Sequence, residues 1–161
     1  MHTKASSTHL EMKQSAGILL YRKQDEQLQV FLVHPGGPFF KNKDTGAWGI
    51  PKGEFLDDED ALTAARREFL EETGHPIDGT FIKLSPIKLK SGKTVYAWAV
   101  EGDADADNIV SNTFPQEWPP KSGKFMETPE VDKAGWFNIT EAKQKITPAQ
   151  FALIEELMEL I

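Results

Sequence analysis

The stretch from Gly53 to Gly74 narrows the possible folds of this chain more than any other. Ala61–Thr73 reads as an amphipathic helix, with Ala61, Leu62, Ala65 and Phe69 recurring at helical spacing. Asp57, Asp58, Glu59 and Asp60 precede it, where the positive end of a helix dipole favours anions. Gly74 stands at the position of a left-handed C-cap, and Pro76 prevents continuation. Glu68, Glu71 and Glu72 lie at i, i+3 and i+4, within about one quadrant of the helix at ~100° per residue. That quadrant borders the apolar stripe, so the acids run along the edge of the packed face. Like-charge pairs at these spacings cost about 0.2–0.5 kcal/mol each when exposed, and more when partly buried. Arg66 and Arg67 are the nearby cations. A hard divalent ion supplies the missing counter-charge, since Mg²⁺ takes oxygen ligands and bridges carboxylates to phosphates. A solvated acidic face has the same local signature, so three glutamates alone leave both readings open.

Around this helix the pattern is that of a mixed sheet covered by helices on both faces, an α/β (α+β) class. Ser15–Tyr21 and Leu28–His34 are β-rich runs forming a hairpin across Arg22–Gln27. Pro35–Gly46 is a Gly/Pro-rich loop, Trp48–Ile50 a short strand stopped by Pro51, and Gly53–Asp60 an acidic turn. Phe81–Lys90 and Thr94–Val100 form a second hairpin around Ser91-Gly92, followed by an acidic loop, Glu101–Asp107. Phe114–Thr128 is Pro-rich and aromatic, and no regular element is assigned to it. Val131–Phe137 reads as a strand and Thr140–Lys145 as a short helix. A last helix opens at Pro148 and runs to about Leu160, with Phe151, Ile154, Leu157, Met158 and Ile161 at helical spacing. Length fits one domain over 14–161, behind a polar, flexible leader over 1–13.

Charge and cysteine usage trim the functional classes. A net charge of −7 argues against extended nucleic-acid or anionic-membrane contacts, which need a basic face. No apolar run approaches the ~20 residues of a membrane span. With no cysteine, the chain has no disulfide framework, thiolate metal site or cysteine nucleophile, which fits a cytoplasmic protein.

The spacing within the acidic segment is far more specific than its charge. Gly53, five residues, Glu59, seven residues, then Arg67-Glu68-Phe69-Leu70-Glu71-Glu72-Thr73-Gly74 resembles the Nudix box, Gly-x5-Glu-x7-Arg-Glu-U-x-Glu-Glu-x-Gly-U, with U bulky and apolar. All seven fixed residues agree; at about one chance in 15 each, a random match has odds on the order of one in a million. The final U position departs, being His75, at the helix exit rather than in the chemistry. Ser15-Ala16-Gly17-Ile18-Leu19-Leu20 resembles the family's first strand, and Val131–Phe137 its late strand. Trp48-Gly49-Ile50-Pro51-Lys52-Gly53 resembles the lead-in of dinucleoside polyphosphate hydrolases and RNA pyrophosphohydrolases.

The resemblance implies a Nudix-type α/β/α sandwich and water attack at a phosphorus of a nucleoside diphosphate linked to another moiety. It implies divalent metal, Mg²⁺ or Mn²⁺, on Glu68, Glu71 and Glu72, with Glu68 and Glu72 the safest pair and the Lys52 carbonyl a further ligand. Arg67, counted with the catalytic set, and Glu59 match positions that brace the loop against the helix. The general base is a box glutamate or one of Glu117, Glu127 and Glu130. Lys52, Lys41 and Phe40 are the candidate substrate contacts. Lys43, Phe39, Trp118 and Phe125 have the same loop setting, while His34 reads as ordinary structure. The expected substrate is a small nucleoside polyphosphate, dinucleoside first and nucleoside triphosphate second, acted on by a monomer or homodimer. A Nudix fold kept as a non-catalytic nucleotide-sensing or protein-interaction module is the alternative, against which every box glutamate is present. A third possibility, an isoprenoid diphosphate isomerase on the same fold, lacks its usual catalytic cysteine here.

Overall fold

The computed structural model describes residues 13–161, so the expected leader lies outside the described residues apart from Lys13. Strands β1 (Gln14–Gln24) and β2 (Gln27–Pro35) form an antiparallel hairpin. Its two-residue turn places Asp25 at φ 54° and Glu26 at φ 65°, the pair of positive values that a tight hairpin with natural twist requires. The hairpin is longer than its apolar runs, because Arg22, Lys23 and Gln24 pair with Gln29, Leu28 and Gln27 beyond the core.

One edge of β1 serves two partners. Its outer half pairs with β2, while Ser15, Ala16 and Gly17 pair antiparallel with Glu54, Gly53 and Lys52 of β3 (Lys52–Glu54). Glycine is needed at 17, since an added Cβ would stand 2.7 Å from both the Lys52 Cβ and the Pro51 carbonyl oxygen. The other edge of β1 runs parallel to β6 (Thr94–Glu101), and β4 (Ile82–Lys83) and β5 (Ile87–Lys88) pair antiparallel with β6. The expected strand Phe81–Lys90 is therefore broken, at Ser85-Pro86, where proline has no N–H for the ladder. On the far side of β2 lies β9 (Val131–Asn138), completing a mixed sheet ordered β4-β6-β1-β2-β9.

Alternation along β1 divides the core. Ile18 and Leu20 point to the face covered by α1 (Ala61–Thr73), where they meet Phe31, Ala65 and Phe69. Leu19 and Tyr21 point to the other face, against Leu153, Ile154 and Leu157. That face is covered by α2 (Ile139–Lys145), a 3₁₀ turn (Pro148–Gln150) and α3 (Phe151–Leu160). The result is a three-layer α/β/α arrangement.

Two local expectations need correction. Trp48–Ile50 is not a strand: Gly49 bridges to Val33 and Trp48 to Ile146, and the regular strand begins only at Lys52. Phe114–Thr128 does hold regular structure, a separate antiparallel hairpin of β7 (Thr113–Glu117) and β8 (Phe125–Pro129). Its strands are largely exposed and joined by backbone pairing, so no apolar alternation marks them in the sequence. Among the described residues, no helix is long and apolar enough to cross a membrane.

Candidate active site

Helix α1 is capped at both ends as its sequence dictates. The Thr63 N–H donates to the Asp60 carboxylate at 3.0 Å, and Gly74 takes φ 78° while its N–H donates to the Leu70 carbonyl. This fixes the helix phase, and with it the direction of the three glutamates. Glu68 and Glu72, one turn apart, are both only 7% exposed. Glu71 is half-buried and turned toward Arg67.

Arg67 organises the surrounding acids. Its Nε and Nη2 donate to the two Glu59 oxygens, each at 2.9 Å, in a bidentate fork. Its Nη1 donates to Glu68 Oε2 at 2.8 Å and to Glu71 at 3.2 Å. The loop acid Glu59 is thereby locked to the helix, with its pKa lowered chiefly by the Arg67 hydrogen bond. Arg67 itself is held more firmly protonated by the same partners.

The third member of the inner cluster comes from another part of the chain. Carboxylate oxygens of Glu68, Glu72 and Glu130 lie within 4.8 Å of one another. Glu130 sits between β8 and β9 with its backbone fixed twice: its N–H donates to the Asn112 carbonyl at 2.9 Å, and its carbonyl accepts from Gly36 at 3.0 Å. Burial pushes all three pKa values upward, that of Glu72 most, and the charges of Glu68 and Glu130 raise it further. Opposing this, Glu72 accepts a hydrogen bond from the Lys52 backbone N–H and feels the Lys52 charge. Burial in turn lowers the pKa of Lys52, which is among the groups facing the acids.

An all-oxygen donor set that repels itself and has been withdrawn from water fits a hard divalent cation. Gly53 makes the packing possible. Its φ is not in the left-handed region, but an added Cβ would fall on the Glu68 carboxyl group.

A cavity of about 240 Å³ opens beside the cluster, with Phe40, Lys52, Glu72, Glu130, Thr147 and Gln150 among its walls. Lys41 is exposed on its loop and is not part of that wall, nor are Phe39, Trp118 and Phe125. Glu117 is committed elsewhere, accepting from the Gly123 N–H within the β7–β8 turn, and Glu127 is exposed. Sequence reasoning missed Thr147 and Gln150, which precede or open the last helix and carry no motif. The Gln150 Oε1 accepts from the buried Ile50 N–H at 2.9 Å, pinning the chain just before Lys52. A larger groove of about 710 Å³, bordered by Arg22, Asp103 and Trp136, lies apart from the carboxylates. Arg22 there is already paired with Asp103 at 2.8 Å and stacked over Trp136. We therefore place the chemistry in the smaller cavity.

Comparison with known proteins identifies the family and agrees with the fold. A family model, the NUDIX domain, matches residues 12–157. The chain is similar to the Ap4A hydrolase of C. elegans in a binary complex, with 19% identity, 91% of this chain and 96% of that one covered, and a TM-score of 0.63. It is similar to the NUDIX domain of Shewanella oneidensis NrtR complexed with ADP ribose, with 18% identity, 91% and 86% covered, and a TM-score of 0.62. A NUDIX hydrolase from Nitrosomonas europaea gives 20% identity, 91% and 88% covered, and a TM-score of 0.55. No curated protein matches in sequence. With the family model matching residues 12–157 and every fixed residue of the box in place, the chain belongs to the Nudix family.

Proposed function

We propose that the protein hydrolyses a pyrophosphate bond of a nucleoside polyphosphate, a dinucleoside polyphosphate first and a nucleoside triphosphate second, with Mg²⁺ or Mn²⁺ bound at the buried acids. The observation that carries this is the convergence of Glu68, Glu72 and Glu130, of which Glu72 and Glu130 line a cavity together with Phe40, Lys52, Thr147 and Gln150.

In this reading Glu68, Glu72 and Glu130 hold the metal, with the Lys52 carbonyl beside them and Glu71 as an outer acid. When bound, the metal supplies charge neutralisation at the phosphates and a more acidic water. The chain's own residues do the rest. Arg67 and Glu59 keep Glu68 in place, and Lys52 offers positive charge to the phosphate chain. Phe40 offers a stacking face for a base, worth roughly 1–3 kcal/mol. The proton of the attacking water passes to a carboxylate; Glu130 is the loop acid best placed for it, and the box glutamates are the other candidates.

The substrate preference is supported by the sequence just before the box and by the fold shared with an Ap4A hydrolase. The test is a panel of dinucleoside polyphosphates, nucleoside triphosphates, ADP-ribose, nucleotide sugars and triphosphorylated RNA, with products resolved. Expected products are one nucleoside monophosphate and the remaining phosphorylated fragment, with ¹⁸O from water in only one of them. ADP-ribose or a nucleotide sugar turned over with ~100-fold higher kcat/KM, about 2.7 kcal/mol in transition-state binding, would overturn the substrate assignment and leave the catalytic one standing.

A further inference from the structure

His34 is fully buried near the end of β2, and each of its ring nitrogens faces an oxygen. Nδ1 lies 2.8 Å from Asp132 Oδ1, and Nε2 lies 2.6 Å from the backbone carbonyl of Lys43. A carbonyl only accepts, so Nε2 is the donor to Lys43, while Nδ1 faces the Asp132 carboxylate. The contact with Asp132 is built into the sheet. The pairing of β2 with β9 shifts register between His34 and Pro35, so that Lys133 pairs with His34, Val131 with Pro35, and Asp132 is the extra residue. Such a bulge re-aims a side chain. Trp48 packs 5.3 Å from the imidazole and screens it from water.

The contact with Lys43 reaches into the loop that walls the cavity. The Lys43 N–H donates to the Phe40 carbonyl at 2.9 Å, so the backbone of Lys43 is tied through its N–H to Phe40 and through its carbonyl to His34. The next residue, Asp44, accepts from Trp48 Nε1 at 2.8 Å and from Lys145 at 2.5 Å. Phe40 stands in the cavity wall and packs edge-to-face on Phe39 at 4.8 Å.

We propose that His34 is a positioning residue for substrate binding: with Nδ1 seated against Asp132, it donates from Nε2 to the Lys43 carbonyl, rivets the Pro35–Gly46 loop to the sheet and sets Phe40 against the bound base. The activity arm rests on the hydrolase reading above; the spectroscopic arm does not.

The test separates the two ring nitrogens. The amide of Gln reaches where Nε2 lies, and that of Asn where Nδ1 lies. His34→Gln keeps a donor for Lys43, whereas His34→Asn keeps only the Asp132 contact. The expected result is a KM raised about tenfold in His34→Asn with kcat within about twofold, and near-wild-type constants in His34→Gln. In the wild type, ¹⁵N NMR should show a proton on Nε2 of His34, the nitrogen facing the Lys43 carbonyl. Amide exchange at Lys43 should quicken in His34→Asn and not in His34→Gln. Equal effects in the two variants, a change confined to kcat, or an unprotonated Nε2 in the wild type would overturn the proposal. Absence of turnover on every nucleotide would instead count against the hydrolase reading, and the NMR and exchange results would still decide the role of His34.

Discussion

Gly53→Ala separates the site from the fold. Glycine at this position is not required by its φ, so alanine suits the backbone and restricts the unfolded chain, an effect of about 0.4–1 kcal/mol in favour of folding. The obstacle is the Glu68 carboxyl group, whose farther oxygen would lie 2.5 Å from the new carbon, against about 3.4 Å for ordinary contact. Glu68 must therefore move by roughly 1 Å or more, away from Glu72 and Glu130. Because the displaced atoms end a flexible side chain, the fold loses little. A displacement of that size at reacting groups costs on the order of 10²-fold in rate. We expect kcat to fall about 100-fold, with a higher Mg²⁺ or Mn²⁺ concentration needed for half-maximal rate. The melting temperature in chelator should stay within about 4 °C of wild type, as a change of ~1 kcal/mol implies for a domain of this size. Gly17→Ala is the contrasting control: its Cβ would meet the Lys52 Cβ and the Pro51 carbonyl, which cannot swing away, so it should cost about 1–3 kcal/mol of stability. A Gly53→Ala enzyme with kcat within threefold of wild type, or one as unstable as Gly17→Ala, would refute this reasoning.

Other outcomes follow from the same geometry. Glu68→Gln and Glu72→Gln should each lower kcat by roughly 10³-fold while circular dichroism stays unchanged, and melting in chelator should hold or rise because a like charge is gone. Excess chelator should abolish wild-type turnover, and added Mg²⁺ or Mn²⁺ should restore it. Glu59 has a folded pKa below its ordinary 4.5 because Arg67 donates to it, so its stabilising effect is complete above that value and fades as pH falls through the folded pKa. Glu59→Gln should therefore be less stable than wild type at neutral pH, with the gap closing in urea titrations as pH falls below 4.5 and through the folded pKa. Arg67→Lys loses the fork on Glu59 and should reduce activity more than a surface Arg-to-Lys exchange does. Gln150→Leu leaves the buried Ile50 N–H without its acceptor and should cost about 1–3 kcal/mol in chemical denaturation.

What was legible in the sequence was what is determined locally. The phase of α1, its Asp60 and Gly74 caps and the shared quadrant of its glutamates all follow from spacing within a few turns. The Glu59–Arg67 brace was legible only through the resemblance to the Nudix box, since Glu59 lies in the loop before the helix. Glu130 is different. It is 58 residues from Glu72, and nothing near it in sequence distinguishes it from Glu117 or Glu127. Only chain crossing does so, through the hydrogen bonds that fix its backbone to Asn112 and Gly36. The β7–β8 hairpin was illegible for a related reason: its strands bury few side chains, carry Pro115 and Pro129, and form through backbone pairing that leaves no periodicity. Glu71 shows a subtler limit. Spacing sets it beside Glu68 and Glu72, yet the third acid within 4.8 Å of that pair is Glu130, while Glu71 accepts from Arg67 at 3.2 Å.

These origins divide the labour within the site. The acids that meet at 4.8 Å come from a rigid helix and from a doubly fixed backbone segment. The cavity walls come from elsewhere: Phe40 from the Pro35–Gly46 loop, and Thr147 and Gln150 from the approach to α3. Loops accept substitution and insertion more readily than the elements that carry them. A chain built this way can change the group it recognises while the carboxylate geometry stays fixed. It follows that variants at Phe40 should act mainly on KM and on the ranking of substrates, whereas variants at Gly53, Glu68 and Glu72 should act on kcat for every substrate alike.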